Sequence, residues 1–181
     1  MHIHIFWDRL SPAGLQVPVA RNIAAIIGVP ARVEENPVRI MGYVDVRKQI
    51  DAQAQLDHLA AYKHRHDLKD PILLVLNQDM FNPGHSFVFG LARESVGVAV
   101  VSTARLSNEY YGLMENDDDL IDRTTKEGAH EVGHLLGLGH CKNRECIMFR
   151  PDTLDELDGK KKMLCDTCRD LLEQKLGQDA G

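Results

Sequence analysis

One run of eleven residues constrains this chain more than any other: His130-Glu131-Val132-Gly133-His134-Leu135-Leu136-Gly137-Leu138-Gly139-His140. His130 and His134 are four residues apart, so a helix places both imidazoles on one face within reach of a single ion. Imidazole nitrogen is an ordinary zinc ligand at about 2.0–2.1 Å. Glu131 lies one step round the helix, close to such an ion but poorly placed to ligate it, where a base for an attacking water belongs. Gly137 follows three residues after His134. Glycine takes the left-handed conformation that ends a helix and turns the chain sharply. After that turn His140 can return as a third ligand. Three protein ligands leave the fourth position of a tetrahedron open, which is the arrangement of a catalytic zinc site. A bare His-Glu-x-x-His arises by accident in helices. Adding the third His and the Gly lowers the chance occurrence in such a chain to on the order of one in 100,000, so metal binding is the better reading.

The four cysteines, Cys141, Cys146, Cys165 and Cys168, all follow this run, and the first 140 residues contain none. A secreted disulfide scaffold spreads its bridges along the chain. Two close pairs in the last quarter point instead to a local metal site in a reducing compartment, and a cytoplasmic location is expected. The first ten residues have no positive stretch followed by an apolar one, so no signal peptide is expected. No apolar run approaches the ~18 residues of a membrane helix. With 21 basic against 27 acidic residues the net charge is −6, which argues against general binding to nucleic acid or anionic membranes. Hydrophobic residues at 44% and charged residues at 27% exclude a disordered chain and a coiled-coil rod.

The remaining pattern is β-α-β-α-β-β, an α/β layer arrangement. Strands are predicted around Ile3 to Trp7, over Ala31 to Ile40 with a break at Pro37, at Ile72 to Leu76, and at Phe87 to Leu91 and Val96 to Ser102. Helices are predicted over Val17 to Gly28, Val44 to Asp70, about Leu120 to Leu136, and Cys165 to Leu176. Glu115 to Asp119 read as an acidic loop. One domain is expected, with an N-terminal subdomain of about residues 1–137 that includes the metal-binding helix and a loop-rich C-terminal subdomain of about 138–181.

The eleven-residue run is the zinc signature of the metzincin metallopeptidases. Cys141 directly follows His140, Cys146 and Met148 are separated by one residue, and Cys165 and Cys168 by two. Together these residues resemble the archaemetzincins, whose pattern joins the zinc signature to four cysteines and a methionine turn. The resemblance spans His130 to Cys168, 39 of 181 residues. The loop between Met148 and Cys165 is one residue shorter than the family pattern. The resemblance implies a small mixed twisted sheet with helices, a catalytic zinc on His130, His134 and His140, and Glu131 as the general base. It also implies Met148 as the floor beneath the three imidazoles and a peptide as substrate.

Four thiolates in two pairs suit a closed tetrahedral zinc site with a structural role. Two zinc ions per chain are therefore expected. Two disulfides, a redox Cys-x-x-Cys pair and an iron–sulfur cluster are the other uses of such cysteines. Cys165 and Cys168 are expected to open a helix whose dipole lowers thiol pKa. Some metzincins carry a Tyr two residues beyond the methionine; here Arg150 stands there, and Tyr110 and Tyr111 are the possible substitutes. His2 and His4 share a strand face and suit a core or surface role better than a third metal site. His58, His64 and His66 suit a solvated helix face, His85 a place along the cleft, and Asp117, Asp118 and Asp119 a solvated turn. A peptide substrate would pair antiparallel with an edge strand over Phe87 to Ala92. The alternative function is a zinc-binding module that keeps the catalytic pattern and acts through its four-cysteine lobe.

Overall fold

The computed structural model describes residues 1–178. In chain order the elements are β1 (Ile3–Trp7), α1 (Gln16–Ile27), β2 (Ala31–Glu35), β3 (Tyr43–Val44), β4 (Gln49–Asp51), α2 (Ala52–Arg65), β5 (Ile72–Leu76), β6 (Met80–Phe81), β7 (Gly90–Arg93), β8 (Val98–Ser102), α3 (Asp117–Leu135), α4 (Leu154–Asp158) and α5 (Asp166–Gln178). The main sheet runs β2-β1-β5-β8-β7. Its pairs are parallel except β7–β8, which is antiparallel. A second, three-stranded sheet runs β3-β4-β6.

The apolar run of β5 is buried along its whole length, as a strand with both faces covered must be. Alternate residues feed two layers. Leu73 and Val75 join α1, α3 and the C-terminal lobe, whereas Ile72, Leu74 and Leu76 pack under α2. The first of these layers is continuous from β1 to Leu172 on α5. The active-site helix α3 is central to it, with His130 and Glu131 buried. Its surroundings leave no room for a side chain at Gly128, where a Cβ would stand 2.7 Å from Ile23 of α1 and 3.2 Å from Leu73.

Several boundaries differ from the sequence reading. The helix expected from Val44 begins only at Ala52, because Tyr43 to Asp51 pair as β3 and β4 and Asp51 caps the helix through Gln53 and Ala54 N–H. β2 ends at Glu35, where Asn36 turns the chain by bonding Asp8 and Val38. The edge strand starts at Gly90, not Phe87, since Val88 N–H donates to Met80 in the other sheet. Asp117 to Asp119 form the first turn of α3 rather than a loop: Asn116 caps them, and carboxylates there complement the helix dipole. The short elements β3, β4, β6 and α4 have no counterpart in the sequence reading.

Candidate active site

Helix α3 ends in a paired-bond turn. Leu138 N–H donates to Gly133 C=O and Gly137 N–H to His134 C=O, with Gly137 at φ 83°. This is the Schellman geometry that a left-handed glycine permits. It swings the chain back so that His140 faces the helix. The rings of His130 and His134, and of His134 and His140, have centroids 4.6 and 4.7 Å apart. One ring nitrogen from each of the three lies within 4.8 Å of the others.

The tautomers follow from the partners. His130 Nδ1 meets Ile147 C=O at 2.8 Å and His134 Nδ1 meets Leu138 C=O at 2.8 Å. Carbonyls only accept, so each Nδ1 carries the proton and each Nε2 presents a lone pair. Those two lone pairs face each other at 3.1 Å. Two acceptors at that distance repel unless a cation sits between them, and imidazole ligands about a tetrahedral zinc stand roughly 3.3 Å apart. The donor set therefore fits zinc. Burial pushes the pKa of His130, His134 and His140 down, which favours the neutral ligand form.

Glu131 is buried beside its neighbour one helical turn back, Glu127. Burial first, then the charge and hydrogen bond of Glu127, push its carboxyl well above the usual range, against the pull of Lys160. Glu127 is raised by the same desolvation. Lys160 is 2% exposed and its Nζ has no hydrogen-bond partner among the described residues. Burial lowers its pKa while Glu127 and Glu131 oppose that, so its charge faces the carboxylate pair across the interior. Neither Glu127 nor Lys160 was singled out from sequence. Glu127 had a signal, the four-residue spacing to Glu131 on one helix; Lys160 sits in a loop with none. Gly90 is a third omission. A Cβ there would stand 2.8 Å from both Cγ and Oε1 of Glu131, so only glycine lets the edge strand lie against this carboxyl.

The histidines and Glu131 open into a cleft of about 530 Å³ whose other wall is β7 with the segment before it, including His85 and Phe89. Arg150 and Asp152 line its rim. Arg150 Nη2 is 3.5 Å from His85 Nε2, placing His85 along the cleft as expected. Tyr110 and Tyr111 are exposed and lie outside the cleft lining, where Tyr111 donates to Arg105 C=O and the Arg105 guanidinium sits over the Tyr110 ring. His58, His64 and His66 are exposed on or beside α2.

The four cysteine sulfurs also lie within 4.8 Å of one another. Cys141 and Cys165 sulfurs are 3.8 Å apart, far beyond the ~2.05 Å of a disulfide and close to the edge of a zinc–thiolate tetrahedron with ~2.3 Å bonds. Backbone N–H groups point at the sulfurs: Asn143 to Cys141, and Met148 and Cys165 to Cys146. Such donors stabilise thiolates. The helix start acts on the two C-terminal thiols differently from expectation. The Cys168 N–H holds Cys165 below the usual thiol range, whereas burial pushes Cys168 and Cys146 up.

The two clusters share one loop. Ile147 C=O anchors His130, Met148 C=O accepts the Cys141 N–H at 2.8 Å, and Cys141 adjoins His140. Met148 is fully buried and its Sδ would be 2.4 Å from a Cβ on Gly133, so the methionine rests against the helix between His130 and His134. Arg123 clamps Asp158 through two bonds of 2.7 and 2.9 Å, tying α3 to the segment that carries Lys160.

The chain is similar to proteins of known family. A model described as Peptidase family M54 matches residues 10–174. The archaemetzincin of Aeropyrum pernix is 35% identical over 173 residues, 92% of this chain and 90% of that protein. The archaemetzincin of Pyrococcus horikoshii is 41% identical over 104 residues, which is 58% of this chain and 55% of that protein. The crystal structure of a zinc-dependent peptidase from Methanocorpusculum labreanum has a TM-score of 0.90 and 42% identity, covering 94% of this chain and 99% of that one. On the strength of a family match that covers most of its length, this chain belongs to peptidase family M54, the archaemetzincin metallopeptidases.

Proposed function

We propose that the chain hydrolyses peptide bonds, with His130, His134 and His140 holding a catalytic zinc, Glu131 as general base, and Cys141, Cys146, Cys165 and Cys168 holding a second, structural zinc. The observation that carries this reading is the pair of facing Nε2 lone pairs beside a buried carboxyl at the floor of a cleft. Zinc bound there supplies Lewis-acid polarisation of the scissile carbonyl and acidifies the attacking water. Glu131 takes the proton of that water and returns it to the leaving nitrogen. Its raised proton affinity suits that task, and Lys160 offsets the charge it shares with Glu127. Among the described residues the strand β7 is hydrogen-bonded on one side only, to β8, so its other edge can pair with an extended substrate running antiparallel to it. Met148 supports the helix from below.

The test is digestion of a mixed peptide library by zinc-replete protein, with products mapped by mass spectrometry. New termini at internal peptide bonds are expected. Two bound zinc ions with no cleavage would favour the binding-module reading.

Glu127 gives a pH prediction. A base must be ionised to accept a proton, so the acid limb of the kcat/KM profile reports Glu131. The Glu127 charge raises the Glu131 pKa, and Glu127→Gln removes that charge. The acid limb should therefore move to lower pH in the variant. An unmoved limb would show that the two carboxyls are not linked in the working enzyme.

A further inference from the structure

On the sheet face opposite α3, a third group of ligands converges. His4 on β1 and His2, which extends that strand by one residue, stand two apart and so leave the same face. That face also carries Phe6 and belongs to the layer under α2. The parallel register sets His4 beside Ile72, which brings Asp70 alongside His2. Glu34 reaches His4 from β2 on the other side.

Each histidine stands against a carboxylate. His2 Nδ1 is 2.8 Å from Asp70 Oδ2, and His4 Nδ1 is 2.7 Å from Glu34 Oε1. The rings stand 4.3 Å apart. One nitrogen of each ring and one oxygen of Asp70 lie within 4.8 Å of one another. His2 Nε2 is buried and has no hydrogen-bond partner among the described residues. Glu34 lies behind His4 as the carboxylates that orient metal-binding histidines do. Nothing in the peptidase chemistry uses this group.

We propose that His2, His4 and Asp70 form a third metal site, for a divalent ion of the zinc, cobalt or nickel type, with Glu34 orienting His4. Two imidazoles and a carboxylate suit such borderline ions. Three ligands at a half-exposed position leave room for water. Lys63 donates to the backbone carbonyls of Lys69, Asp70 and Gly97, and its positive charge opposes a cation. The site is therefore weaker and more exchangeable than the two zinc sites across the sheet, and it fills only in the presence of free metal.

The experiment is calorimetric titration of the zinc-replete protein with zinc chloride, paired with metal analysis. Wild type should take up one further saturable equivalent. His2→Gln and Asp70→Asn, both at half-exposed positions, should lose it while keeping wild-type peptidase activity and folded structure. Glu34→Gln should weaken it by roughly 10–100-fold, the usual cost of removing a group that orients a ligand. Absence of the extra equivalent in wild type overturns the proposal. So does an extra equivalent that persists unchanged in His2→Gln and Asp70→Asn, because the ion would then be held elsewhere, for example by the exposed histidines of α2.

Discussion

Glu131→Gln should leave the fold and both zinc ions in place and lower peptide hydrolysis by about 10²–10⁴-fold, the usual worth of general acid–base catalysis. The substitution conserves volume and removes only the carboxylate. Glu131 lies beside the ligand helix face, not on it, and the facing lone pairs belong to His130 and His134. What disappears is the acceptor for the water proton and, with it, the donor to the leaving nitrogen. The variant also relieves the contact with Glu127 that raises the Glu131 carboxyl, so its thermal stability should match or exceed that of wild type. Rates on a peptide library, measured beside metal content and thermal unfolding, check all three expectations. Equal rates for wild type and variant would remove Glu131 from the role of base.

Cys168→Ser should destabilise the fold strongly and lower its folded yield. Apparent zinc-binding energies of about 10–16 kcal/mol for closed structural sites are of the same size as the whole stability of a domain, about 5–15 kcal/mol. Cys168 is buried and packs in the same apolar layer as Cys146, Leu164 and Leu172. Its loss also reaches the cleft, because Cys141, Met148 and Ile147 are joined by backbone bonds that end on His130. Low soluble yield, a lowered unfolding temperature and loss of both zinc ions are expected. A variant with wild-type stability and an altered thiol–disulfide activity would favour the redox reading of the cysteines.

The zinc signature was legible because its logic is local. His130 to His134 is one helical turn, and Gly137 ends that helix through bonds to residues three to five positions back. The cysteine cluster was legible from composition alone. Short strands were not: β3, β4 and β6 have two or three residues each, too few for a period, and exist because their partners lie elsewhere in the chain. The same holds for the edge strand, whose start is set by Val88 turning to Met80. Gly90 reads in sequence as a strand breaker, yet its purpose is the space it leaves for Glu131. Lys160 and Asp70 reach their partners only through tertiary packing, and no spacing rule announces them.

The central claim is that hydrolysis depends on a metal held by the three histidines. Protein stripped of its accessible metal by a chelator, with the four-cysteine site still filled, should be inactive. Titration with zinc should restore peptide cleavage linearly and reach a plateau at one added equivalent per chain, and His134→Ala should regain nothing at the same zinc. Cleavage that survives chelation, or that returns equally in His134→Ala, would contradict the account.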